Sequence, residues 1–182
     1  MDDNTKIKRI KSDFRIFLWL VWRHLDLPTP SDLQLDIAGY LQSGPKRRMV
    51  QAFRGIGKSW LTAAYVLWRL YVNPNERILV VSASKDRSEA FSVFVKRLIE
   101  EMPLLHHLRP DPDKGQRDSV LAFDVGPSAA HQAPSVRSVG ITGQLTGGRA
   151  TIIVADDVEV PKNSLTQTMR DRLAESVKEF KS

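Results

Sequence analysis

Residues 52–59 read Ala-Phe-Arg-Gly-Ile-Gly-Lys-Ser, and this stretch, the glycine loop, indicates the fold more strongly than any other. A strand candidate over residues 49–53 leads into it, and an apolar helix candidate over residues 59–72 follows it. A glycine-rich turn between a strand and a helix is the context of a phosphate-binding loop. The glycines allow the backbone to approach oxygen atoms, and the loop N–H groups, with the helix N-terminus, form an anion site. The sequence therefore predicts a site for phosphate groups.

The residue types in the glycine loop predict how it would hold a nucleoside triphosphate. Lys58 would reach the β- and γ-phosphates as a point charge, and the Ser59 hydroxyl would ligate Mg²⁺. Arg54 would stabilise charge that develops on the γ-phosphate, the alternative being a surface arginine paired with a carboxylate. The common pattern begins with glycine where Ala52 stands. We expect the nucleotide to contact the whole loop, which comprises Ala52, Phe53, Arg54, Gly55, Ile56, Gly57, Lys58 and Ser59.

A second chemical signal lies at residues 152–157, where the sequence Ile-Ile-Val-Ala-Asp-Asp closes an apolar run with two acids. A buried parallel strand presents its last side chains at the carboxyl edge of the sheet, where ligands bind in α/β folds. We expect Asp156 to bind Mg²⁺ and Asp157 to activate the attacking water as a general base. Glu159 competes for the second role. A solvated acidic turn is the alternative for the whole segment.

Strand and helix candidates alternate beyond the glycine loop, which predicts an α/β fold with a mainly parallel central sheet flanked by helices. The strand candidates are residues 77–83, 119–125, 136–141 and 151–155, and the helix candidates are residues 86–102 and 165–181. Upstream, apolar residues recur at helical spacing over residues 13–27, and a second helix is expected over residues 32–41. We expect one structural domain, made of an N-terminal helical segment, residues 1–45, and a core, residues 46–182.

Two further features of the N-terminal part bear on a nucleotide site. Gln34 lies upstream of the glycine loop, and its side-chain amide can both donate and accept, so it can read the N6 and N7 edge of adenine. The alternative is an exposed helical glutamine. Four tryptophans fall on apolar helical faces, which favours core packing over the alternative of a base-stacking platform. They are Trp19, Trp22, Trp60 and Trp68.

Composition excludes several classes of protein. The 182 residues carry a net charge of +6, which permits a polyanionic partner without requiring one. There is no cysteine, so disulfides, thiolate metal sites, iron–sulfur clusters and a cysteine nucleophile are excluded. The longest strongly apolar run, residues 16–22, is far shorter than the roughly 20 residues that span a bilayer. We see no secretion signal, and we expect a cytosolic protein that does not bind membranes.

Taken with Gln34, six blocks of this sequence resemble the large terminase subunit of T-seven-like short-tailed phages. The blocks are residues 51–59, 81–85, 115–120, 123–127, 138–147 and 152–159. The resemblance implies the N-terminal ATPase portion of a DNA-packaging motor, with ATP and Mg²⁺ as cofactors. It implies the RecA-like P-loop NTPase fold of the additional-strand catalytic-glutamate type, incomplete at the C-terminus. The implied activity is ATP hydrolysis coupled to translocation of double-stranded DNA into a procapsid.

The resemblance also implies roles for residues at the predicted nucleotide site. Gln34 matches the adenine-side glutamine of the family, and Arg54 matches the arginine of its phosphate loop. Lys58 matches the phosphate-binding lysine, and Ser59 matches the hydroxyl that binds Mg²⁺. These matches agree with the chemistry expected of the same four residue types.

The acidic strand end matches the family with one departure. Asp156 matches the metal-binding aspartate, whereas Asp157 stands where many members carry a catalytic glutamate. Aspartate is the shorter acid and its reach differs, so the catalytic base is Asp157 or Glu159.

The resemblance implies double-stranded DNA, a portal protein and a small terminase subunit as partners. It implies a homo-oligomeric ring for the full-length protein, located in the host cytoplasm and transiently at the procapsid portal. Family members are several-fold longer, and we expect no nuclease domain and no nuclease activity in this chain. Two alternatives stay open: a helicase-like nucleic-acid translocase, and a catalytically silent remnant that only binds nucleotide, DNA or a phage protein.

Overall fold

The computed structural model describes residues 2–143 and 149–178 of the chain. Its contacts divide the chain into two units, Met1–Val72 and Asn73–Ser182, which we call the N-terminal unit and the C-terminal unit. Within the described residues, no helix has the length and apolar character needed to cross a membrane. The functional boundary expected after residue 45 stays a prediction.

The described part of the N-terminal unit consists of helices and their connections. Helix α1 comprises Asp3–Ser12, α2 Phe14–His24, α3 Asp32–Ser43 and α4 Lys58–Val72. The last three confirm the helices expected from apolar spacing, although α2 ends at His24 and not at residue 27. Helix α1 was not expected, because it buries no residue and so leaves no apolar stripe in the sequence.

Asp13 separates α1 from α2 and caps the second helix. Its Oδ1 accepts a hydrogen bond of 2.9 Å from the backbone N–H of Arg15, and its Oδ2 lies 2.9 Å from Nη2 of the same arginine. The cap satisfies one of the N–H groups that have no partner inside the helix. The hydrogen bonds from the Arg15 side chain lower the pKa of Asp13 below its ordinary value.

Aromatic side chains of α2 and α4 form the core of the N-terminal unit. The ring of Phe14 lies 5.4 Å from the rings of both Tyr65 and Trp68, and the ring of Phe17 lies 5.8 Å from that of Tyr71. Phe14 and Phe17 are fully buried. Tilted and edge-on aromatic pairs of this kind add to the stabilisation from area burial. The packing fixes α2 against the helix that begins at the glycine loop.

Strands and helices alternate in the C-terminal unit. The strands are β1 Ile78–Ser82, β2 Ala122–Phe123, β3 Val136–Gly140 and β4 Ile152–Asp156. The helices are α5 Lys85–Glu101, α6 Pro161–Ser164 and α7 Gln167–Lys178, with 3₁₀ segments at Pro103–Leu108 and Pro112–Lys114. Parts of two expected features lie outside the described residues: positions 144–147 of the block at 138–147, and the end of the helix expected over 165–181.

The described strands form one sheet in the order β2-β3-β1-β4. Strand β1 pairs in parallel with both β3 and β4, and only the two-residue β2 is antiparallel. All five residues of β1 are buried, as is typical of a parallel strand with both faces covered. Helix α5 packs against β1 and β3. The α/β class and the mainly parallel sheet are therefore confirmed.

The strand expected over residues 49–53 is wrong, because these residues are irregular in the structure. Met49 is 86% exposed and Phe53 is 64% exposed, so the apolar pattern does not mark a buried segment. A strand exists only where a neighbouring strand accepts and donates its hydrogen bonds, and a local pattern does not supply that neighbour. The glycine loop thus leads into a helix, as expected, without a preceding strand.

We expect Asp13→Ala to lower the free energy of unfolding of the N-terminal unit by about 1 kcal/mol, because α2 loses its N-cap. All four tryptophans lie in this unit, so denaturant unfolding followed by tryptophan fluorescence measures it. The folded-state pKa of Asp13 is lowered, so its stabilisation is complete above the ordinary value of 3.8 and is lost as the pH falls through the lowered value. The difference between wild type and variant should vanish in stronger acid.

Asp36→Ala is the matched control, because Asp36 is exposed on α3. We expect it to change the free energy of unfolding by less than about 0.5 kcal/mol. Equal effects of the two substitutions, or a difference that persists unchanged in acid, would contradict the capping role of Asp13.

Candidate functional site

The glycine loop has a tightly curved backbone at the start of α4. Gly55 has a φ of 96° and Gly57 a φ of 82°, both in the left-handed region that side chains other than glycine rarely adopt. The first helical hydrogen bond follows at once, from Leu61 N–H to the Gly57 carbonyl at 2.9 Å. The two glycines are therefore required by the curvature itself, as the sequence predicted.

Lys58 closes the glycine loop from its helical end. Its ammonium donates to the Ala52 carbonyl at 3.0 Å and to the Phe53 carbonyl at 3.3 Å. The loop thus curls around a positive charge, which stands at the N-terminus of α4 where the helix dipole already favours anions. The structure thus has the left-handed glycines and the lysine of the predicted phosphate site, without the strand that was expected before them.

The other predicted contact residues of the loop differ in exposure. Arg54 and Ser59 are exposed, so both are accessible to a ligand, and Phe53 is exposed as well. Ile56 is only 7% exposed and anchors the middle of the loop in the unit. The loop therefore presents polar side chains on either side of a buried apolar anchor.

Gln34 ties the start of α3 to the glycine loop. Its Oε1 accepts from the backbone N–H of Ser31 at 2.9 Å, which is one half of a capping box. Its Nε2 donates to the Ile56 carbonyl at 2.9 Å. The side chain is half-buried, and it is not the simple exposed glutamine that the sequence offered as the alternative. Its predicted contact with adenine stays a prediction.

The tryptophans divide into two buried and two exposed. Trp22 is 3% and Trp68 is 7% exposed, which confirms core packing for this pair. Trp19 and Trp60 are each 43% exposed, so core packing is wrong for them. The sequence pattern is the same for the buried and the exposed tryptophans. Apolar residues at three- and four-residue spacing define a helix face but not how wide the buried part of that face is.

Asp156 ends β4 at the carboxyl edge of the sheet, as the sequence predicted. It is the register partner of Ser82, the last residue of β1. The expectation of a buried strand is wrong, because half-buried and exposed residues alternate along β4 and Ile153 is 40% exposed. Among the described strands β4 lies at the edge of the sheet, so its outer side has no ladder partner there.

Asp157 turns the chain away from the sheet edge. Its φ of 51° lies in the left-handed region, which aspartate tolerates better than most residues. Its Oδ2 lies 3.4 Å from Nη1 of Arg87, and both side chains are about half exposed. Glu159 is also exposed, two positions further on. The structure places the two candidate bases on one exposed segment.

Arg87 is a residue that the sequence did not single out. Helix α5 follows β1 closely, with Ser84 as its N-cap, so its first turn lies at the carboxyl edge of the sheet. Arg87 lies in that turn and there meets Asp157. In the sequence, Arg87 is only a basic residue three positions after the N-cap. Its contact with Asp157 could be predicted only if the pairing of β4 with β1 were known.

The predicted metal ligands lie in different units, Ser59 in the N-terminal unit and Asp156 in the C-terminal unit. The described residues contain no group of three or more histidine, aspartate or glutamate side chains placed to hold a metal ion. Mg²⁺ in nucleotide sites needs only one or two protein oxygens, because phosphates and water supply the others. An exposed hydroxyl and a strand-end carboxylate fit that donor set, and the pairing of the glycine loop with the two aspartates stays a prediction.

We expect Gly57→Ala to lower the free energy of unfolding of the N-terminal unit by about 1–2 kcal/mol, because an L-residue is strained at a positive φ. The added Cβ would also lie 3.7 Å from Nε2 of Gln34, beside its bond to the loop. Gly39→Ala is the control, since its Cβ would meet nothing within 4 Å inside α3, and it should stabilise by up to about 1 kcal/mol. Tryptophan-detected unfolding that ranks the two variants the other way would contradict the loop geometry.

The chain that carries these residues is similar to a known phage protein. A search against protein-family models finds no match. The chain is 51% identical over 177 residues, 97% of its length, to the protein "Terminase, large subunit" of Enterobacteria phage T3. It spans about 30% of the length of that relative. The resemblance to the large terminase subunits that the sequence motifs indicated is thereby confirmed.

Proposed function

We propose that this chain is the ATP-binding and ATP-hydrolysing module of a phage DNA-packaging motor, built as a P-loop NTPase. The observation that carries the proposal is the glycine loop, in which two left-handed glycines curl the backbone around the ammonium of Lys58 at the start of α4. The likeness to a phage large terminase subunit supports the packaging role. The α/β sheet with aspartates at its carboxyl edge supports the ATPase type.

The chain's own groups divide the work of holding a triphosphate. The N–H groups of the glycine loop bind phosphate oxygens, and Lys58 exchanges its contacts with the loop carbonyls for the β- and γ-phosphates. Arg54, exposed in the loop, supplies a second cation toward the γ-phosphate. Ser59 and Asp156 would each supply an oxygen to Mg²⁺, and the ion would neutralise charge on the phosphates.

Asp157 orients and activates the attacking water in this proposal. Its backbone is left-handed, its carboxylate contacts Arg87, and it directly follows Asp156, the proposed metal ligand. Glu159 lies on the same exposed segment and is the alternative base. Both residues lie within three positions of the end of β4, so a small change in the backbone after the strand would determine which carboxylate reaches the water.

The proposal extends to the setting in which hydrolysis does work. In this proposal the working motor moves double-stranded DNA into a procapsid, as a ring of identical subunits with a portal protein and a small terminase subunit. It acts in the host cytoplasm and transiently at the portal. The net charge of +6 is compatible with a DNA partner.

We expect Lys58→Ala to weaken binding of Mg²⁺-ATP at least tenfold, because the site loses its point charge on the phosphates. Isothermal titration calorimetry on the 182-residue chain measures the affinity directly. Lys46→Ala is the control, since Lys46 is an exposed cation in the same unit but outside the loop, and it should leave the affinity within twofold. Equal ATP affinity of wild type and Lys58→Ala would contradict the assignment of the glycine loop as the ATP site.

We expect Asp157→Asn to lower the rate of phosphate release by roughly 10²–10⁴-fold at unchanged ATP affinity, because a general base is lost while the binding groups stay. Glu159→Gln should lower the rate less than fivefold. Phosphate release is measured in the presence of double-stranded DNA. A larger effect of Glu159→Gln would transfer the role to Glu159, and binding without turnover in wild type would contradict hydrolysis and favour a silent module.

A further inference from the structure

Trp60 is an exposed aromatic side chain beside the predicted phosphate site. It lies in the first turn of α4, two positions after Lys58, and 43% of it is exposed. An indole face of this size is costly to leave in water, and tryptophan binds flat aromatic ligands at little cost in side-chain entropy. Among the described residues, packing covers only part of the Trp60 indole.

The Trp60 indole is held in place from behind. The ring of the buried Trp22 meets it edge-on, with centroids 6.4 Å apart and planes at 85°. A Cβ built on Gly57 would lie 3.7 Å from Cε3 of Trp60, 3.7 Å from Nε2 of Gln34 and 4.0 Å from the Trp22 ring. Indole, amide and glycine loop therefore form one cluster within the N-terminal unit, which we call the indole platform: Trp22, Gln34, Gly57 and Trp60.

We propose that the nucleobase of the bound nucleotide stacks on the indole of Trp60. The inference rests on the proposed ATP site, because a triphosphate held by the glycine loop and Lys58 brings its base into the neighbourhood of the first turn of α4. Trp60 offers a flat, half-exposed ring there, and the Trp22 ring packs against it at 85°.

The same cluster explains which base the site would select. The amide of Gln34 accepts from the Ser31 N–H and donates to the Ile56 carbonyl, so one N–H and one oxygen lone pair remain, and these two bonds to the protein fix their direction. Stacking on an aromatic side chain tolerates any base, because every base has a π-face. The expected site therefore prefers the larger purines to pyrimidines and discriminates weakly between ATP and GTP.

The first experiment needs no substitution. The Mg²⁺ complexes of ATP, GTP, CTP, UTP and inorganic tripolyphosphate are titrated against the wild-type chain. Stacking predicts that ATP and GTP bind within about fivefold of each other, and that both bind roughly 5- to 150-fold more tightly than tripolyphosphate, which has no base. Equal affinities for all five would overturn the proposal. A strict preference for ATP over GTP would instead assign base recognition to hydrogen bonds.

The second experiment tests Trp60 itself. Trp60→Leu should lose most of the ratio of ATP affinity to tripolyphosphate affinity while tripolyphosphate still binds within about twofold of wild type. Trp60→Phe should restore most of the ratio, because it keeps a ring on the platform. Trp19→Leu is the matched control, since Trp19 has the same exposed fraction on α2, and it should leave the ratio unchanged.

The outcomes separate this proposal from the proposed function. If tripolyphosphate and all nucleotides fail to bind wild type, the ATP site itself is wrong. If they bind and Trp60→Leu weakens ATP and tripolyphosphate equally, Trp60 has a structural role and the stacking proposal is overturned. If Trp60→Leu fails to fold, Trp60→Phe and the wild-type nucleotide series still decide the question.

Discussion

The glycine loop depends on two hydrogen-bonded anchors, and the candidate site depends on the loop. Lys58 binds the carbonyls of Ala52 and Phe53 from the helical side, and Gln34 binds the carbonyl of Ile56 from α3. A backbone that leaves its regular hydrogen bonds needs such partners, because unpaired polar groups near the core are costly. Since both anchors engage carbonyl oxygens, the loop keeps the N–H chemistry that anions require.

Helix packing carries this geometry into the rest of the N-terminal unit. The rings of α2 interlock with those of α4, so the start of α4 has a fixed place relative to Trp22. The capping box at Ser31 fixes the start of α3 in turn, and with it the side chain of Gln34. Core packing and loop geometry are thus coupled, because the helices that pack together in this unit also supply the residues that anchor the loop.

The central strand β1 has the corresponding role in the C-terminal unit. Its register with β4 sets Asp156 at the carboxyl edge, and the helix that follows β1 returns Arg87 to that edge. Asp157 is held between a left-handed backbone and this arginine. Asp156 thus belongs to the strand, and Asp157 belongs to the turn that leaves it.

The sequence by itself determined the α/β class, most helices, the need for Gly55 and Gly57, and the placing of Asp156 at a strand end. Each of these follows from local spacing or from a backbone angle that one residue type tolerates. Tertiary structure decided that residues 49–53 form no strand and that Trp60 is exposed while Trp22 is buried. It also decided that Gln34 contacts the glycine loop and that Arg87 contacts Asp157. These outcomes depend on which segments, distant in the sequence, pack against each other, and a local sequence pattern does not specify those contacts.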